Sequence, residues 1–296
     1  MKVFYTDHFV LPLPDGHRFP MQKYSALREA VQIFAPDALE EAPAATDDQL
    51  LLAHDAAYVH RMSAGELTAS EVRQIGFPWS PMMAERARRS AGATIAAAIA
   101  SLNEGCGVNL AGGTHHAFRD HGEGFCCYND AAVAARVLQR DYGIKRVLIC
   151  DLDVHQGNGT ASIFAGDASV FTFSMHGEKN YPVRKEISSL DVELADGCND
   201  ATYLASLRTH LPRIAAAFKP DAMIYLAGAD PYEGDRLGRL KLSKNGLAER
   251  DRYVLSLARD WAVPVAVTMA GGYAVDVADI VDIHFNTLRT AFEVFA

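Results

Sequence analysis

The sequence predicts an α/β fold in which helices flank a central, mostly parallel sheet. Short apolar runs recur along the chain, and longer helical patterns separate them. The runs are apolar on successive residues rather than on alternate ones, which is typical of strands buried on both faces. Strands that alternate with helices indicate crossover connections, which favour parallel pairing. Polar residues directly follow four of the runs, so we expect a site at the carboxyl ends of the strands.

Six runs are predicted to be strands and four segments to be helices. The strand sequences are KVFY at the N-terminus, GVNLA, RVLIC, SVFTFSM, AMIYLAG and VPVAVTMA. The helical patterns cover residues 80–103, 129–142, 201–218 and 243–261. No linker-like stretch, low-complexity tract or fixed-period repeat divides the chain. We therefore expect a single domain over residues 1–296.

The composition is that of a soluble globular protein, with 49% hydrophobic and 22% charged residues. A formal net charge of -9, with scattered acidic residues, argues against nucleic-acid binding and mildly favours cationic ligands. The start MKVFYTDHFV lacks a signal-peptide pattern, and the longest apolar stretch is short of the roughly 18 residues of a membrane span. Five cysteines without C-x-x-C spacing fit reduced thiols. We expect a cytoplasmic protein without a membrane partner, and no oligomeric state follows from the sequence.

The stretch DLDVHQGNG, at residues 151–159, directly follows the apolar run RVLIC. If the strand continues through it, Asp151, Asp153 and His155 share one face, because side chains alternate along extended backbone. Asp230 lies in the GAD that follows another buried run. Together Asp153, His155 and Asp230 offer two carboxylates and one imidazole, which leaves a coordination position open as in catalytic zinc sites. Iron suits the same ligands.

Two further strand ends carry residues of the kind that catalysis needs. His115 and His116 lie in GGTHH, and Tyr273 lies in AGGY. Beside a metal, one histidine could act as general base on water while its neighbour tunes the charge and protonates a leaving amine. The glycines before Tyr273 allow its backbone to approach a site closely, where the phenol could donate to an oxyanion. Each residue alone also has an ordinary structural interpretation, so the combination carries the prediction.

Five motifs, in order, resemble the zinc-dependent histone deacetylase family, which includes acetoin-utilisation proteins and acetylpolyamine amidohydrolases. They are GTHHAF, GFCCYND, DLDVHQGNG, GADPYEGDRLG and AGGY, and the N-terminal DGHRFPMQKY is similar to bacterial members. HQGNG is closest to the class IV branch and its bacterial relatives. The resemblance implies an arginase-like α/β fold. It also implies hydrolysis that removes an acyl group, expected to be acetyl, from acyl-lysine or a small acylated amine.

The resemblance implies a role for each matched residue. By position it gives a zinc site of Asp153, His155 and Asp230, a general base His116, its electrostatic and proton-donating partner His115, and a carbonyl-polarising phenol Tyr273.

Further residues match positions around this centre. Asp151 would orient the first histidine and, with Ser174 and nearby backbone carbonyls, bind a structural potassium ion. Gly124 and Phe125 match the wall of the narrow tunnel that holds the acyl-lysine stem. Tyr181 matches the opposite wall.

Two positions depart from the family pattern. Members best known for acting on histone tails have an aspartate behind the second histidine, where this chain has Asn158. An amide orients an imidazole without stabilising its cation as a carboxylate does, so we expect a lower pKa for the base. The rim loop that offers a carboxylate to substrate backbone in several relatives reads GFPWSP here, and the side chains of Pro78 and Trp79 cannot accept hydrogen bonds. A histone-peptide substrate is therefore disfavoured, and small acylated amines or other acyl-lysine proteins remain open.

Two other functions remain open at this point. A two-metal ureohydrolase of the arginase type shares the fold, but it needs another carboxylate two residues after His155, where this chain has Gly157. A non-catalytic protein could keep the tunnel and bind acyl-lysine or acylpolyamine without hydrolysing it.

Overall fold

The computed structural model describes residues 1–7, 11–14 and 16–295, and within them eight strands form one sheet. The strands are β1 (Lys2–Tyr5), β2 (Leu39–Glu41), β3 (Cys106–Asn109), β4 (Val147–Asp151), β5 (Val170–Gly177), β6 (Leu190–Leu194), β7 (Ala222–Leu226) and β8 (Val265–Thr268). Their order is β2-β1-β3-β8-β7-β4-β5-β6, and every neighbouring pair is parallel. The predicted α/β fold with a mostly parallel sheet is confirmed. Asp15, within the N-terminal motif, lies outside the described residues.

The pattern of apolar runs identifies the six inner strands but not β2 and β6, which are the two edges of the sheet. β2 is only three residues long, with the sequence LEE, and none of its residues is buried. β6 reads LDVEL and is mostly half-buried. An edge strand has solvent along one side, so its sequence carries charged residues and lacks a continuous apolar run.

Ten α-helices lie in the same described part of the chain. They are α1 (Lys23–Phe34), α2 (Asp47–Leu50), α3 (Ala56–Ala64), α4 (Ala69–Ile75), α5 (Pro81–Glu104), α6 (Asp130–Tyr142), α7 (Asn158–Ile163), α8 (Asp200–Phe218), α9 (Lys244–Asp260) and α10 (Val277–Phe295). The four predicted helices correspond to α5, α6, α8 and α9. Each of these begins after a Ser or Asn whose side chain accepts a hydrogen bond from a backbone amide of the first turn. No helix of the described residues is both long enough and apolar enough to cross a membrane.

Apolar side chains form one layer on each face of the sheet. Along β4, Val147 and Ile149 belong to one cluster, whereas Leu148 and Cys150 belong to the other. Helices α5 and α6 cover the first face, and α8, α9 and α10 cover the second. These four of the five β4 residues are 0% exposed, which explains why the run is apolar on successive positions.

Parallel pairing places the ends of four central strands side by side. β3, β8, β7 and β4 are consecutive neighbours in the sheet, so their carboxyl ends share one edge. The loops that follow these four strands carry, respectively, the histidine pair, the AGGY segment, Asp230 and the DLDVH segment. Strand order therefore gathers chemistry that is widely separated along the chain.

Candidate active site and metal centre

Strand β4 ends at Asp151, and the chain then turns instead of continuing as a strand through His155. The turn is stabilised by carboxylates that accept backbone hydrogen bonds: Asp153 N donates to Asp151 Oδ1 at 3.2 Å, and His155 N donates to Asp153 Oδ1 at 2.9 Å. The predicted shared face of a strand is therefore not how these residues meet. A tight turn around its own carboxylates brings them together.

Asp153, His155 and Asp230 form the predicted cluster of ligand groups. One ligand atom from each lies within 4.8 Å of the other two, and all three residues are buried. An oxygen of each carboxylate accepts a hydrogen bond from a backbone amide. Val154 N donates to Asp230 Oδ1 at 2.9 Å, and Gly271 N donates to Asp153 Oδ2 at 2.8 Å. Asp230 Oδ2 lies 3.3 Å from His155 Nδ1, yet within the described residues it accepts no hydrogen bond of good geometry. A buried carboxylate oxygen without a donor fits a metal ligand.

The electrostatics of the cluster also fit a bound cation. Burial, and then the charge of Asp153, raise the pKa of Asp230 to about 7. Burial by itself would lower the pKa of His155, but the hydrogen bond to Asp153 and the charge of Asp230 outweigh it and raise this pKa to about 10. Two carboxylates buried together thus require a positive charge beside them. Two carboxylate oxygens and one imidazole nitrogen suit Zn²⁺ or Fe²⁺.

Gly271 allows the loop after β8 to approach the ligand carboxylates. A Cβ at this position would lie 1.9 Å from Asp230 Oδ2 and 2.5 Å from Asp153 Oδ2. The same loop is fastened from α1 by Lys23, which is 3% exposed and whose ammonium lies 3.4 Å from the carbonyl oxygen of Ala270. The close approach of the backbone is the one expected from the paired glycines in AGGY, whereas no sequence pattern indicates the role of Lys23.

His115 and His116 lie together at the site, with ring centroids 4.1 Å apart. His115 Nδ1 is 2.7 Å from Asp151 Oδ2, and His116 Nδ1 is 2.6 Å from Asn158 Oδ1. Since both oxygens accept, each imidazole carries hydrogen on Nδ1, and Nε2 is the nitrogen left for chemistry. Asp151 and Asn158 therefore lie where the resemblance expects the partners of the two histidines.

The two imidazoles differ in charge. Burial would lower the pKa of His115, but the charges of Asp151 and Asp153 outweigh it and raise this pKa to about 9. Burial, and then the charges of His115 and His155, hold the pKa of His116 well below its usual range. The neutral His116 can accept a proton, while His115 carries one.

The loop that carries the histidine pair is held by Asp130, the fully buried first residue of α6. Its two carboxylate oxygens accept from Gly113 N at 2.9 Å and from Thr114 N at 2.7 Å. Thr94 of α5 also donates to Asp130 at 2.6 Å. The position of the histidines is thus fixed by two packed helices, through an aspartate that no sequence pattern marks as functional.

Asn158 connects the second histidine to another carboxylate, that of Glu123. Asn158 Nδ2 donates to Glu123 Oε1 at 2.6 Å, and Gln74 Nε2 donates to Glu123 Oε2 at 3.1 Å. No residue pattern in the sequence points to Glu123 as a partner of the histidines. The available signal is its position directly before Gly124 of the tunnel motif.

Tyr273 lies at the cavity, 9% exposed, with its ring centroid 6.4 Å from that of His155. Its backbone is fixed on both sides: Tyr273 N donates to Asp235 Oδ2 at 2.6 Å, and Arg236 Nε donates to Tyr273 O at 2.9 Å. Burial, and then the charge of Asp153, raise the pKa of Tyr273 well above its usual range. The phenol therefore stays protonated and can act as a hydrogen-bond donor.

Two of the three predicted tunnel residues, Gly124 and Phe125, line a narrow cavity of about 40 Å³, together with Tyr273. A Cβ at Gly124 would lie 2.8 Å from Cδ2 of His116, so only glycine fits there without a shift. Tyr181 is not among the described lining residues of this cavity and is 42% exposed. Its ring packs edge-on against His116, with centroids 4.9 Å apart.

Phe125 adopts a backbone conformation that is unusual for a side chain of its kind, with φ at 67°. Two backbone hydrogen bonds to the end of α4 maintain it: Gly124 N donates to Gln74 O at 3.0 Å, and Phe125 N donates to Ile75 O at 2.7 Å. Strained residues of this type persist where the surroundings hold them in place, often at functional sites.

Asp151 and Ser174, the expected potassium ligands, are register partners in the neighbouring strands β4 and β5. The Ser174 hydroxyl lies 2.9 Å from Nδ1 of His176, a fully buried residue. The two predicted ligands are therefore adjacent, and each also contacts another side chain.

The rim loop GFPWSP presents Pro78 to solvent and turns Trp79 inward. The indole Nε1 of Trp79 donates to Met62 O at 2.8 Å, and the ring packs against Gly65, where a Cβ would lie 2.6 Å from it. Trp79 thus packs against the end of α3, and the loop offers no side-chain acceptor at Pro78.

Gly157 bears on the two-metal alternative. A Cβ at Gly157 would lie 2.4 Å from Asp151 Oδ2 and 3.3 Å from the His115 ring. A carboxylate at this position, which a second metal ion needs, would require Asp151 to shift away from its contact with His115.

Known proteins resemble the chain over most of its length. Residues 17–288 match the family model described as the histone deacetylase domain. An uncharacterized protein of Picosynechococcus sp. is 42% identical, with 99% of both chains covered. Histone deacetylase 2 of Arabidopsis thaliana is 31% identical over 80% of this chain and 63% of its own length, and the acetoin utilization protein AcuC of Staphylococcus aureus is 30% identical over 87% and 72%.

A solved structure supports the same assignment. The crystal structure of the HDA15 HD domain matches with a TM-score of 0.82 and 25% sequence identity, covering 99% of this chain and 91% of that one. Taken with the family model, these relatives show that the chain belongs to the histone deacetylase family and has the arginase/deacetylase-like fold of that family.

Proposed function

We propose that this protein is a metal-dependent deacylase that hydrolyses the amide bond of an acyl-lysine or a small acylated amine, with acetyl as the expected acyl group. Membership of the histone deacetylase family supports deacetylase activity. The observation that carries the proposal is the buried cluster of Asp153, His155 and Asp230 beside two histidines of unlike charge. A divalent cation held by this cluster, Zn²⁺ or Fe²⁺, would polarise the scissile carbonyl and lower the pKa of water.

The side chains around the cluster divide the work of hydrolysis. Neutral His116 accepts a proton from the attacking water at Nε2. Tyr273 donates its phenol hydrogen to the carbonyl oxygen as negative charge develops there. Protonated His115 stabilises that charge and supplies the proton that the amine takes as the C–N bond breaks. The products are a carboxylic acid and an amine.

The shape of the site supports a slender acyl group. Aromatic and glycine residues, including Phe125 and Gly124, line part of the cavity of about 40 Å³ that also contains the histidines and Asp153. At the rim, Pro78 offers no carboxylate to a peptide backbone. These features favour small acylated amines and acyl-lysine side chains over recognition of a histone backbone.

We further propose a structural potassium ion at Asp151 and Ser174, supported by their register pairing. We also propose that residues 1–296 form a single domain, supported by one sheet whose strands span most of the sequence. Mass spectrometry under native conditions with K⁺ or Na⁺ would test the first, and limited proteolysis would test the second.

A metal titration tests the proposed reaction. Metal-depleted protein receives Zn²⁺ or Fe²⁺ and is assayed on acetylated and long-chain acylated lysine peptides, polyamines and small amines. We expect amine release to reach its maximum at one equivalent of metal. A maximum at two equivalents supports the ureohydrolase, and binding of acylated ligands without release supports the non-catalytic alternative. Asp230→Asn is the matched control, which should lose both metal binding and turnover.

A further inference from the structure

A continuous chain of short hydrogen bonds runs from the candidate base to a second carboxylate. His116 Nδ1 is 2.6 Å from Asn158 Oδ1, and Asn158 Nδ2 is 2.6 Å from Glu123 Oε1. Asn158 is 3% exposed, so water does not easily replace either contact. The side-chain amide of Asn158 therefore links His116 to Glu123 through two hydrogen bonds.

The carboxylate determines which way the amide points. An ionised carboxylate only accepts hydrogen bonds, so the NH₂ of Asn158 must face Glu123. The carbonyl oxygen of Asn158 then faces His116 and requires hydrogen on its Nδ1. This order of donors and acceptors leaves Nε2 of His116 without hydrogen, as a general base needs.

Glu123 is itself held in place by other donors. Gln74 Nε2 at the end of α4 donates to Glu123 Oε2 at 3.1 Å. Burial, and then Glu123, raise the pKa of Tyr181, whose ring packs edge-on against His116. The same carboxylate thus accepts from the amide behind the base and acts on the phenol of the ring beside it.

We propose that Glu123 is a positioning residue that fixes the tautomer of His116 through Asn158 and supplies negative charge to the Nδ1 side of that imidazole. Hydrogen bonds to an ionised acceptor are stronger than neutral ones, and linked bonds polarise one another. The kinetic part of this proposal rests on the proposed deacylase function, whereas the tautomer part does not.

Relocation of the charge tests the kinetic part. Glu123→Gln removes the charge and lets the amide of Asn158 take either orientation, so we expect kcat to fall about tenfold with little change in KM or Tm. Asn158→Asp alone places two carboxylates about 2.6 Å apart and should also lower kcat. The double variant Glu123→Gln/Asn158→Asp puts the charge directly behind His116 and should recover kcat to within about threefold of the parent.

The control for charge alone is Glu178→Gln, which removes an exposed carboxylate just after β5 and should leave kcat unchanged. A double variant no more active than Glu123→Gln would overturn the kinetic role. A change confined to KM or Tm in Glu123→Gln would show that Glu123 only supports the tunnel wall.

Long-range ¹H–¹⁵N NMR of the histidine side chains tests the tautomer without any turnover, with the His116 signals assigned from a His116→Gln sample. We expect a single Nδ1–H tautomer in the parent and a mixture in Glu123→Gln. The same single tautomer in both proteins would overturn the proposal even if the enzyme is active. Inactivity of the parent on every substrate, together with the expected tautomer change, would instead count against the deacylase function.

Discussion

At residue scale, Gly271 sets how closely the β8 loop can approach the ligand carboxylates. A Cβ there would lie 1.9 Å from Asp230 Oδ2, so we expect Gly271→Ala to displace that carboxylate and to lower the bound Zn²⁺ severalfold or more, as atomic absorption after dialysis would measure. Gly143→Ala is the control for an added methyl group away from the site, because a Cβ at Gly143 meets nothing within 4 Å. Its φ of 70° is costly for alanine, so this control should lose some Tm and keep its full metal content. Full metal content in Gly271→Ala would contradict the assignment of Asp230 as a ligand.

The phenol of Tyr273 gives a second prediction at this scale. Loss of one oxyanion donor typically costs on the order of a hundredfold in kcat, so we expect a drop of that size in Tyr273→Phe. The ring stays in place, so Tm should change little. Tyr142→Phe, at an exposed position 45% accessible to solvent, should keep parental turnover. Wild-type kcat in Tyr273→Phe would remove the phenol from the mechanism.

Candidate catalytic residues and metal ligands are easier to predict from the sequence than the residues that position them. Histidines and carboxylates at strand ends stand out because their residue types are unusual after apolar runs. Glu123 and Asp130 act through partners that lie 35 and 16 residues away along the chain. Nothing in a single sequence marks such a pair, because the contact exists only once strands and helices have packed.

At the scale of elements, the interior of the sheet is predictable and its edges are not. Strands buried on both faces are apolar on successive positions, as β7 is and as β4 is up to its last residue, Asp151. β2 and β6 have no such requirement, and α10 is recognisable only from the face it buries against α9 and α1. β4 ends at Asp151 because a side-chain carboxylate there accepts a hydrogen bond from the backbone amide of Asp153. A pattern of apolar residues cannot predict this contact.

His54 joins two segments near the histidine loop and provides a pH prediction. Its Nδ1 donates to Phe118 O, and its Nε2 accepts from Asn129 N, the residue before α6, both at 2.9 Å. Burial lowers the pKa of His54 to about 4. In the unfolded chain His54 takes up a proton near pH 6.5, whereas in the folded protein it stays neutral down to about pH 4. The free energy of unfolding therefore falls as the pH drops from 6.5 towards 4.

The measurement compares the free energy of unfolding of the parent and His54→Gln in urea between pH 7.5 and pH 4. The variant lacks the titrating ring, so its disadvantage should shrink by about 3 kcal/mol over that range. Parallel loss of stability in the two proteins would mean that the His54 pKa is not depressed.

At the scale of the whole molecule, a cation would connect loops from separate parts of the sheet. Asp153 and His155 follow β4, Asp230 follows β7, and the loop after β8 donates to Asp153. Binding to the folded state alone stabilises it by about 2.7 kcal/mol when free metal is 100 times Kd. We expect Zn²⁺ to raise Tm by several degrees and a chelator to reverse the shift. Asp230→Asn should show no metal-dependent Tm, and an equal shift in that variant would place the binding elsewhere.

The strained backbone at Phe125 has an implication for how acyl selectivity can change. Its positive φ is maintained by main-chain contacts with Gln74 and Ile75, some fifty positions earlier in the sequence. If the backbone of Phe125 relaxed to ordinary torsion angles, its benzyl group would move and the width of the cavity would change. Under the proposed function, insertions or deletions at the last turn of α4 would change which acyl groups fit, while every side chain that lines the cavity stays the same.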